Sequence, residues 1–111
     1  MFFECFLLEK LDLSNFNTNK VKDMSALFSG CKSLKELNIS NFNTENVTNM
    51  SLMFDRCPSL RNLDVSNFNT KNVNNMYCMF GGCIDELKLK IKSQFKKFKE
   101  EAFKNLIFIK K

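Results

Sequence analysis

Four of the five cysteines recur at one fixed spacing and are the first candidates for chemistry. Cys5, Cys31, Cys57 and Cys83 are each 26 residues apart. In neighbouring copies of a repeating structure these thiols would lie about 5 Å apart, which is within the range of a disulfide. Buried free cysteine also behaves as a small hydrophobic residue, so core thiols are favoured over disulfides or a metal site. The chain has no histidine and no Cys-x-x-Cys pair, so we expect no metal and no cofactor. Cys78 falls outside this spacing and is a candidate for an exposed position.

The carboxylates offer a second, weaker possibility. Asp12 and Asp64 could form the paired acids of a glycoside hydrolase. They would lie two strands apart, about 10 Å, on an open sheet rather than in a cleft. With no histidine to act as a base and no glycine-rich phosphate loop, we expect no catalytic residues and no enzyme.

A 26-residue repeat must position these residues. The segment S-N-F-N-T occurs three times, within copies that span residues 11–36, 37–62 and 63–88. The wider pattern is L-[DN]-[LIV]-S-N-F-N-T-x-[KN]-V-x-[DN]-M-x-x-[LM]-F-x-x-C. An internal period of this length is typical of a solenoid. The period extends to a partial copy at residues 1–10 and to a last strand at residues 89–91.

Each copy contains two hydrophobic periodicities. Leu37-Asn38-Ile39 alternates apolar and polar residues, which predicts a short strand. The spacing of Val47, Met50, Met53, Phe54 and Cys57 predicts a short helix, with Thr44 near its start. We therefore expect an α/β solenoid with one short parallel strand and one short helix per repeat. Aromatic and amide residues that recur at the same position of each copy should form internal columns and ladders. The expected column is Phe16, Phe42 and Phe68, and the expected ladders are Asn15, Asn41 and Asn67, and Asn17, Asn43 and Asn69.

The C-terminal segment differs in charge and pattern. Residues 1–84 contain eight basic and eight acidic side chains, whereas residues 85–111 contain nine lysines and four acids and so carry the whole net charge of +5. Phe95, Phe98, Ala102 and Leu106 predict an amphipathic helix that opens at Ser93. We interpret residues 92–111 as a basic helical cap over the end of the core. The alternative is a surface that binds nucleic acid or an anionic membrane through Lys88–Lys111.

The repeat resembles the BspA-like leucine-rich repeats of bacterial and protist surface proteins, and most closely the variant found in mycoplasma-type lipoproteins. The Asn-Phe-Asn-Thr segment, the Met-Phe pair and the cysteine carry this resemblance in Leu11–Cys83. It implies a leucine-rich-repeat solenoid and a surface or secreted protein that binds other proteins, with no catalytic residues. No signal peptide or membrane-spanning segment is recognised in these residues, so the localisation stays open.

The outward positions of the strands form the predicted partner-binding face. If Leu37 and Ile39 point inward, the residues that alternate with them point outward. We expect a non-enzymatic protein-protein interaction module or, alternatively, a structural repeat fragment without a partner. Self-association is a further expectation at the N-terminal edge, where Leu11 and Phe16 would lack cover. The predicted face comprises Lys10, Asp12, Ser14, Glu36, Asn38, Ser40, Asn62, Asp64, Ser66, Lys88 and Lys90.

Overall fold

Three short strands, one α-helix and one 3-10 helix form the regular structure of the described residues. The computed structural model describes residues 2–105. In chain order the elements are β1 (Lys10–Asp12), β2 (Glu36–Asn38), β3 (Asn62–Leu63), α1 (Asp85–Gln94) and a 3-10 helix (Glu100–Phe103). The strands form a parallel sheet in the order β1-β2-β3, and the sheet is open. Its register joins residues 26 apart, with Lys10 opposite Glu36 and Glu36 opposite Asn62.

This architecture corrects the expected leucine-rich-repeat solenoid. That fold requires one helix per copy, but in residues 2–105 the single α-helix lies after the third cysteine of the copies. The radius of gyration is 12.8 Å, close to the roughly 13 Å of a compact globule of this length. The chain is therefore a small compact globule with one helix and a three-stranded parallel sheet.

The residues of the predicted helical stripe are buried without being helical. Val47, Met50, Met53, Phe54 and Cys57 are all fully buried. However, the amides of Met50 and Phe54 donate to the carbonyls of Asn75 and Met79, at 2.7 and 2.9 Å, instead of to carbonyls four residues earlier. Leu52 and Arg56 have φ values of 59° and 56°, which an α-helix does not allow. The segment is thus a series of tight turns, stabilised by hydrogen bonds across to the following copy.

The threonines predicted to start these helices also bond across the structure. Thr18 Oγ1 accepts a hydrogen bond from the Asn43 amide at 2.8 Å and donates to the Asn43 carbonyl at 3.1 Å. Thr44 makes the same pair of bonds with Asn69, at 2.7 and 3.0 Å. Both threonines are buried, so these bonds satisfy backbone groups that would otherwise be costly to bury.

Stacked phenylalanines form the centre of the core. Phe2, Phe28, Phe54, Phe80 and Phe103 lie in one column, with ring centroids 5.4 to 5.6 Å apart. The column predicted from the S-N-F-N-T segment is only flanking, because Phe42 and Phe68 each contact a ring of this stack at 6.5 Å. The third predicted member, Phe16, is 42% exposed.

Residues 85–105 depart from the predicted cap. The fourth strand predicted at residues 89–91 is wrong, because these residues lie inside α1. Leu87 and Ile91, four residues apart, are the buried face of that helix, and Leu89 is 67% exposed. Asp85 and Glu86 occupy its first turn, where the helix dipole favours acids. The helix predicted to open at Ser93 is also wrong, since α1 ends at Gln94.

The segment after α1 packs on the third copy. The amides of Cys78 and Phe80 donate to the carbonyls of Glu101 and Ala102, at 2.9 and 2.7 Å. Gly81 permits this approach, because a Cβ there would overlap the Lys104 carbonyl oxygen. Leu106, the last residue of the predicted amphipathic pattern, and the rest of the predicted cap to residue 111 lie outside the described residues.

Candidate functional site

Tight side-chain turns fix the residues that follow each strand. The side-chain oxygens of Asp12, Asn38 and Asp64 accept hydrogen bonds from the amides of the serines two residues later, at 2.9, 3.0 and 2.9 Å. Such turns are typical of Asp and Asn. Because the three turns are in register across the sheet, they place the serines Ser14, Ser40 and Ser66 at one end of it.

The same hydrogen bonds set the ionisation of the acids. The side-chain and backbone hydrogen bonds from Ser14 lower the pKa of Asp12, and those from Ser66 lower the pKa of Asp64. Both groups are therefore held as carboxylates. A general acid of a glycoside hydrolase needs a raised pKa instead. The strand β2, with Asn38, separates the two acids, so they do not face each other across a substrate site.

A groove runs between the sheet and the last turn of α1. Its volume is about 660 Å³. Strands β2 and β3 and the turns after them form one wall, and α1 with the residue after it forms the other. The lining residues are Leu37, Asn38, Ile39, Ser40, Asn62, Leu63, Asp64, Ser66, Lys90, Gln94 and Phe95. We call this feature the sheet groove.

A shallower depression of about 470 Å³ continues toward β1. Lys10, Asp12, Glu36, Asn38 and Asn62 contribute polar side chains to it. Lys10 forms an ion pair with Glu36 at 3.1 Å, but both side chains are largely exposed, so the pair contributes little to stability. The Asn62 amide group approaches Glu36 at 3.5 Å. Cross-strand contacts thus order this part of the surface.

The structure brings together most of the predicted face. Of its eleven residues, Asn38, Ser40, Asn62, Asp64, Ser66 and Lys90 line the sheet groove, and Lys10, Asp12 and Glu36 line the depression beside it. Ser14 and Lys88 line neither. Sequence reasoning missed Gln94 and Phe95. The acidic pair before Leu87 and the four-residue spacing to Ile91 were the available signals for the helix that carries Gln94.

Three of the recurring cysteines form a row of hydrogen-bonded free thiols. Cys31, Cys57 and Cys83 donate to the carbonyls of Phe2, Phe28 and Phe54, at 3.0, 3.1 and 3.2 Å. Burial raises the pKa of Cys57 to about 12 and also raises that of Cys83. All five cysteines are free. The expectation that Cys78 is exposed is wrong, since it is fully buried and burial raises its pKa too.

Within residues 2–105, no three acidic, cysteine or histidine side chains are grouped so that they could hold a metal ion. The same residues contain no helix with the length and apolar character that crossing a bilayer requires.

Two lysines of the basic segment are engaged inside the molecule. Lys97 donates to the carbonyls of Ser66 and Phe68, at 3.1 and 2.7 Å. Burial lowers its pKa, and the nearby carboxylate of Asp64 opposes that shift. Lys92 pairs with Glu100 at 2.6 Å. These two ammonium groups are therefore less available to an external anion.

By its fold and its groove, the protein is a small α/β globule with an open parallel sheet and a polar groove along that sheet. The family model described as "Mycoplasma protein of unknown function, DUF285" matches residues 1–106, and the chain belongs to that family. The assignment to the BspA-like leucine-rich repeats is therefore wrong. The comparisons with curated proteins and with solved structures find no match.

Proposed function

We propose that this protein is a non-enzymatic protein-binding module whose sheet groove holds an extended peptide segment of its partner. The observation that carries the proposal is the makeup of the groove, which combines side-chain amides, one carboxylate, one ammonium group and an aromatic ring within about 660 Å³. Ligand sites in proteins are typically concave and combine apolar area with a few placed polar groups.

The carboxamides favour a peptide backbone. Asn38, Asn62 and Gln94 each have a group that donates and a group that accepts hydrogen bonds. A peptide backbone presents donors and acceptors in alternation, so it matches such a lining. Asn38 uses its oxygen for the turn to Ser40, so its NH₂ group is the part that would donate to a peptide carbonyl.

The charged residues favour a segment with both signs of charge. Asp64 belongs to the sheet side of the groove and Lys90 to the helix side. A peptide with a basic and an acidic side chain on the same face would complement them, while half-buried Phe95 offers contact to an apolar side chain. The lowered pKa of Asp64 keeps this complementarity at neutral pH.

A displayed library of random peptides of about ten residues, long enough to span the groove in extended form, tests the proposal. Enriched peptides would be synthesised and titrated by fluorescence anisotropy. Lys90→Glu reverses the charge of the helix wall, and we expect it to weaken binding at least about tenfold. Lys71→Glu makes the same change at an exposed site outside the groove and should leave affinity within about twofold.

If no peptide is enriched, or if enriched peptides bind the Lys90→Glu variant as well as the parent chain, the proposal is wrong. The chain would then be interpreted as a structural repeat fragment without a peptide partner.

The alternative of nucleic-acid or membrane binding rests on the exposed Lys90, Lys96, Lys99 and Lys104. Titration with a labelled oligonucleotide and with anionic phosphatidylserine vesicles would detect it directly, with a steep dependence on salt.

A further inference from the structure

Among residues 2–105, no strand pairs with the outer edge of β1, whose backbone groups are directed away from the sheet. The Leu13 amide donates to Asn38, and the Glu9 carbonyl accepts from Lys35, at 2.9 and 2.8 Å. In a parallel strand, alternate residues direct both backbone groups to the same neighbour. Residues 9, 11 and 13 therefore face β2, while the N–H and C=O groups of Lys10 and Asp12 face outward.

Apolar side chains are exposed beside this edge. Phe16 is 42% exposed, whereas the residues in the same position of the next two copies, Phe42 and Phe68, are 5% and 4% exposed. Phe6 and Leu7, which precede β1, are 47% and 92% exposed. Uncovered strand edges with apolar neighbours are sites for pairing with another chain.

We propose that β1 pairs in antiparallel fashion with β1 of a second copy of this chain, about a two-fold axis that passes Leu11. In this register Leu11 lies opposite its own copy, and Lys10 lies opposite Asp12 of the second copy. The outward backbone groups of Lys10 and Asp12 then form the closely spaced pairs of an antiparallel ladder, with about four hydrogen bonds in all.

Charge complementarity selects this partner and this register. The two-fold axis places the ammonium group of Lys10 across from the carboxylate of Asp12 twice, once on each side of the axis. Opposite charges directly across an antiparallel pair are stabilising. Asp12 uses one oxygen in its turn to Ser14, which leaves its second oxygen to accept from Lys10 of the second copy. The lowered pKa of Asp12 keeps the carboxylate charged.

The reversal of chain direction also covers the exposed aromatic residues. Residues that follow β1 in one copy lie across from residues that precede β1 in the other. Phe16 therefore approaches the segment that contains Phe6 and Leu7 of the second copy. A two-fold interface of this kind is self-complementary and closed.

The opposite end of the core does not offer the same surface within the described part of the chain. There the amides of Cys78 and Phe80 are paired with residues 101 and 102, and Phe103 stacks on Phe80 at 5.5 Å. Pairing about a two-fold axis uses the β1 edge of both copies, so it should stop at a dimer and not continue into a fibre.

Light scattering coupled to size-exclusion chromatography tests this proposal on the whole chain. The parent protein should change from the 13.0 kDa chain to twice that mass as concentration rises between about 1 µM and 1 mM, the range in which interfaces of modest size dissociate. Lys10→Glu and Asp12→Lys each place like charges across both pairs, and each should weaken the dimer about tenfold or more.

The decisive measurement is the mass of a mixture of the Lys10→Glu and Asp12→Lys variants. In the mixture each introduced charge faces its opposite, so a heterodimer should form at concentrations where either variant alone is a monomer. Glu36→Gln is the matched control, because it removes the intrachain partner of Lys10 but no cross-copy contact. Circular dichroism would verify that all variants are folded.

A parent chain that stays monomeric at about 1 mM overturns the proposal. So does a dimer or larger aggregate that neither charge reversal weakens, or a mixture that associates no better than the separate variants.

Discussion

The phenylalanine stack predicts where this small protein should be most sensitive to substitution. Phe54 is fully buried at the centre of the stack. Its ring lies 5.6 Å from that of Phe28 and 5.4 Å from that of Phe80, with interplanar angles of 9° and 8°. It also contacts Phe68 at 6.5 Å. Phe54→Ala removes all three ring contacts and leaves a cavity at the centre of the core.

The expected loss of stability follows from the complete burial of Phe54. Phe→Ala at a buried site lowers the free energy of unfolding by about 3–5 kcal/mol. A domain of this length has a total of about 6–17 kcal/mol, so the substitution removes a large fraction of it. Phe54→Leu retains most of the apolar volume but loses the two stacked pairs, at about 0.5–1.5 kcal/mol each. We therefore expect Leu to be intermediate, about 1–3 kcal/mol below the parent chain.

Urea unfolding followed by far-ultraviolet circular dichroism would measure these differences, and thermal unfolding should show a decrease of about 13–21 °C for Phe54→Ala. Phe16→Ala is the matched control, since Phe16 is 42% exposed and is outside the stack. Its effect should stay below about 1 kcal/mol. Equal losses for the alanine variants of Phe54 and Phe16 would contradict the description of the stack as the centre of the core.

Two further predictions concern groups whose pKa is shifted. Hydrogen bonds from Ser66 lower the pKa of Asp64, so its carboxylate stabilises the fold above about pH 4, and this contribution is lost as the pH falls through the folded-state pKa. Asp64→Asn keeps the turn acceptor that Asn38 also supplies, and thermal unfolding between pH 6 and pH 3 should show a smaller loss of stability than in the parent chain. Burial raises the pKa of Cys57 to about 12, so iodoacetamide at pH 8 should label Cys57 at least about a thousandfold more slowly in the folded chain than in urea. Mass spectrometry of the labelled peptides would measure this, and rapid labelling in the folded state would contradict the hydrogen-bonded thiol.

The sequence predicted which residues are buried better than it predicted their backbone conformation. The apolar positions of the stripe from Val47 to Cys57 are buried as expected. A spacing of three and four residues is produced by an α-helix, but successive tight turns produce it as well. The conformation was decided by where the amides of Met50 and Phe54 find acceptors, and those acceptors are about 25 residues away. A local pattern carries no information about such partners.

The strand predicted at residues 89–91 was wrong for a related reason. Leu87, Leu89 and Ile91 alternate with lysines, as a half-buried strand would. The structure buries Leu87 and Ile91 on one face of a helix and leaves Leu89 exposed. In so short a segment the two periods share two of three positions, so the acids in the first turn were the better guide. Lys90, which was predicted to lie on a fourth strand, therefore lies on the helix wall of the sheet groove.

The C-terminal segment shows why the end of the core was the least predictable part. The Asn67 amide group donates to the carbonyls of Ser40 and Phe42, at 3.2 and 2.8 Å. Exactly 26 residues further along the chain, the carbonyls of Ser66 and Phe68 accept from the ammonium group of Lys97. At the end of the core, the Lys97 ammonium group thus donates the hydrogen bonds that the Asn67 side chain donates within the copies. Because a carbonyl accepts from any suitably placed donor and not from a particular residue type, identity between copies reveals such a contact only where the same side chain makes it. Lys97 lies in the segment that the sequence predicted as a basic amphipathic helix, although its ammonium group is directed to the carbonyls of Ser66 and Phe68.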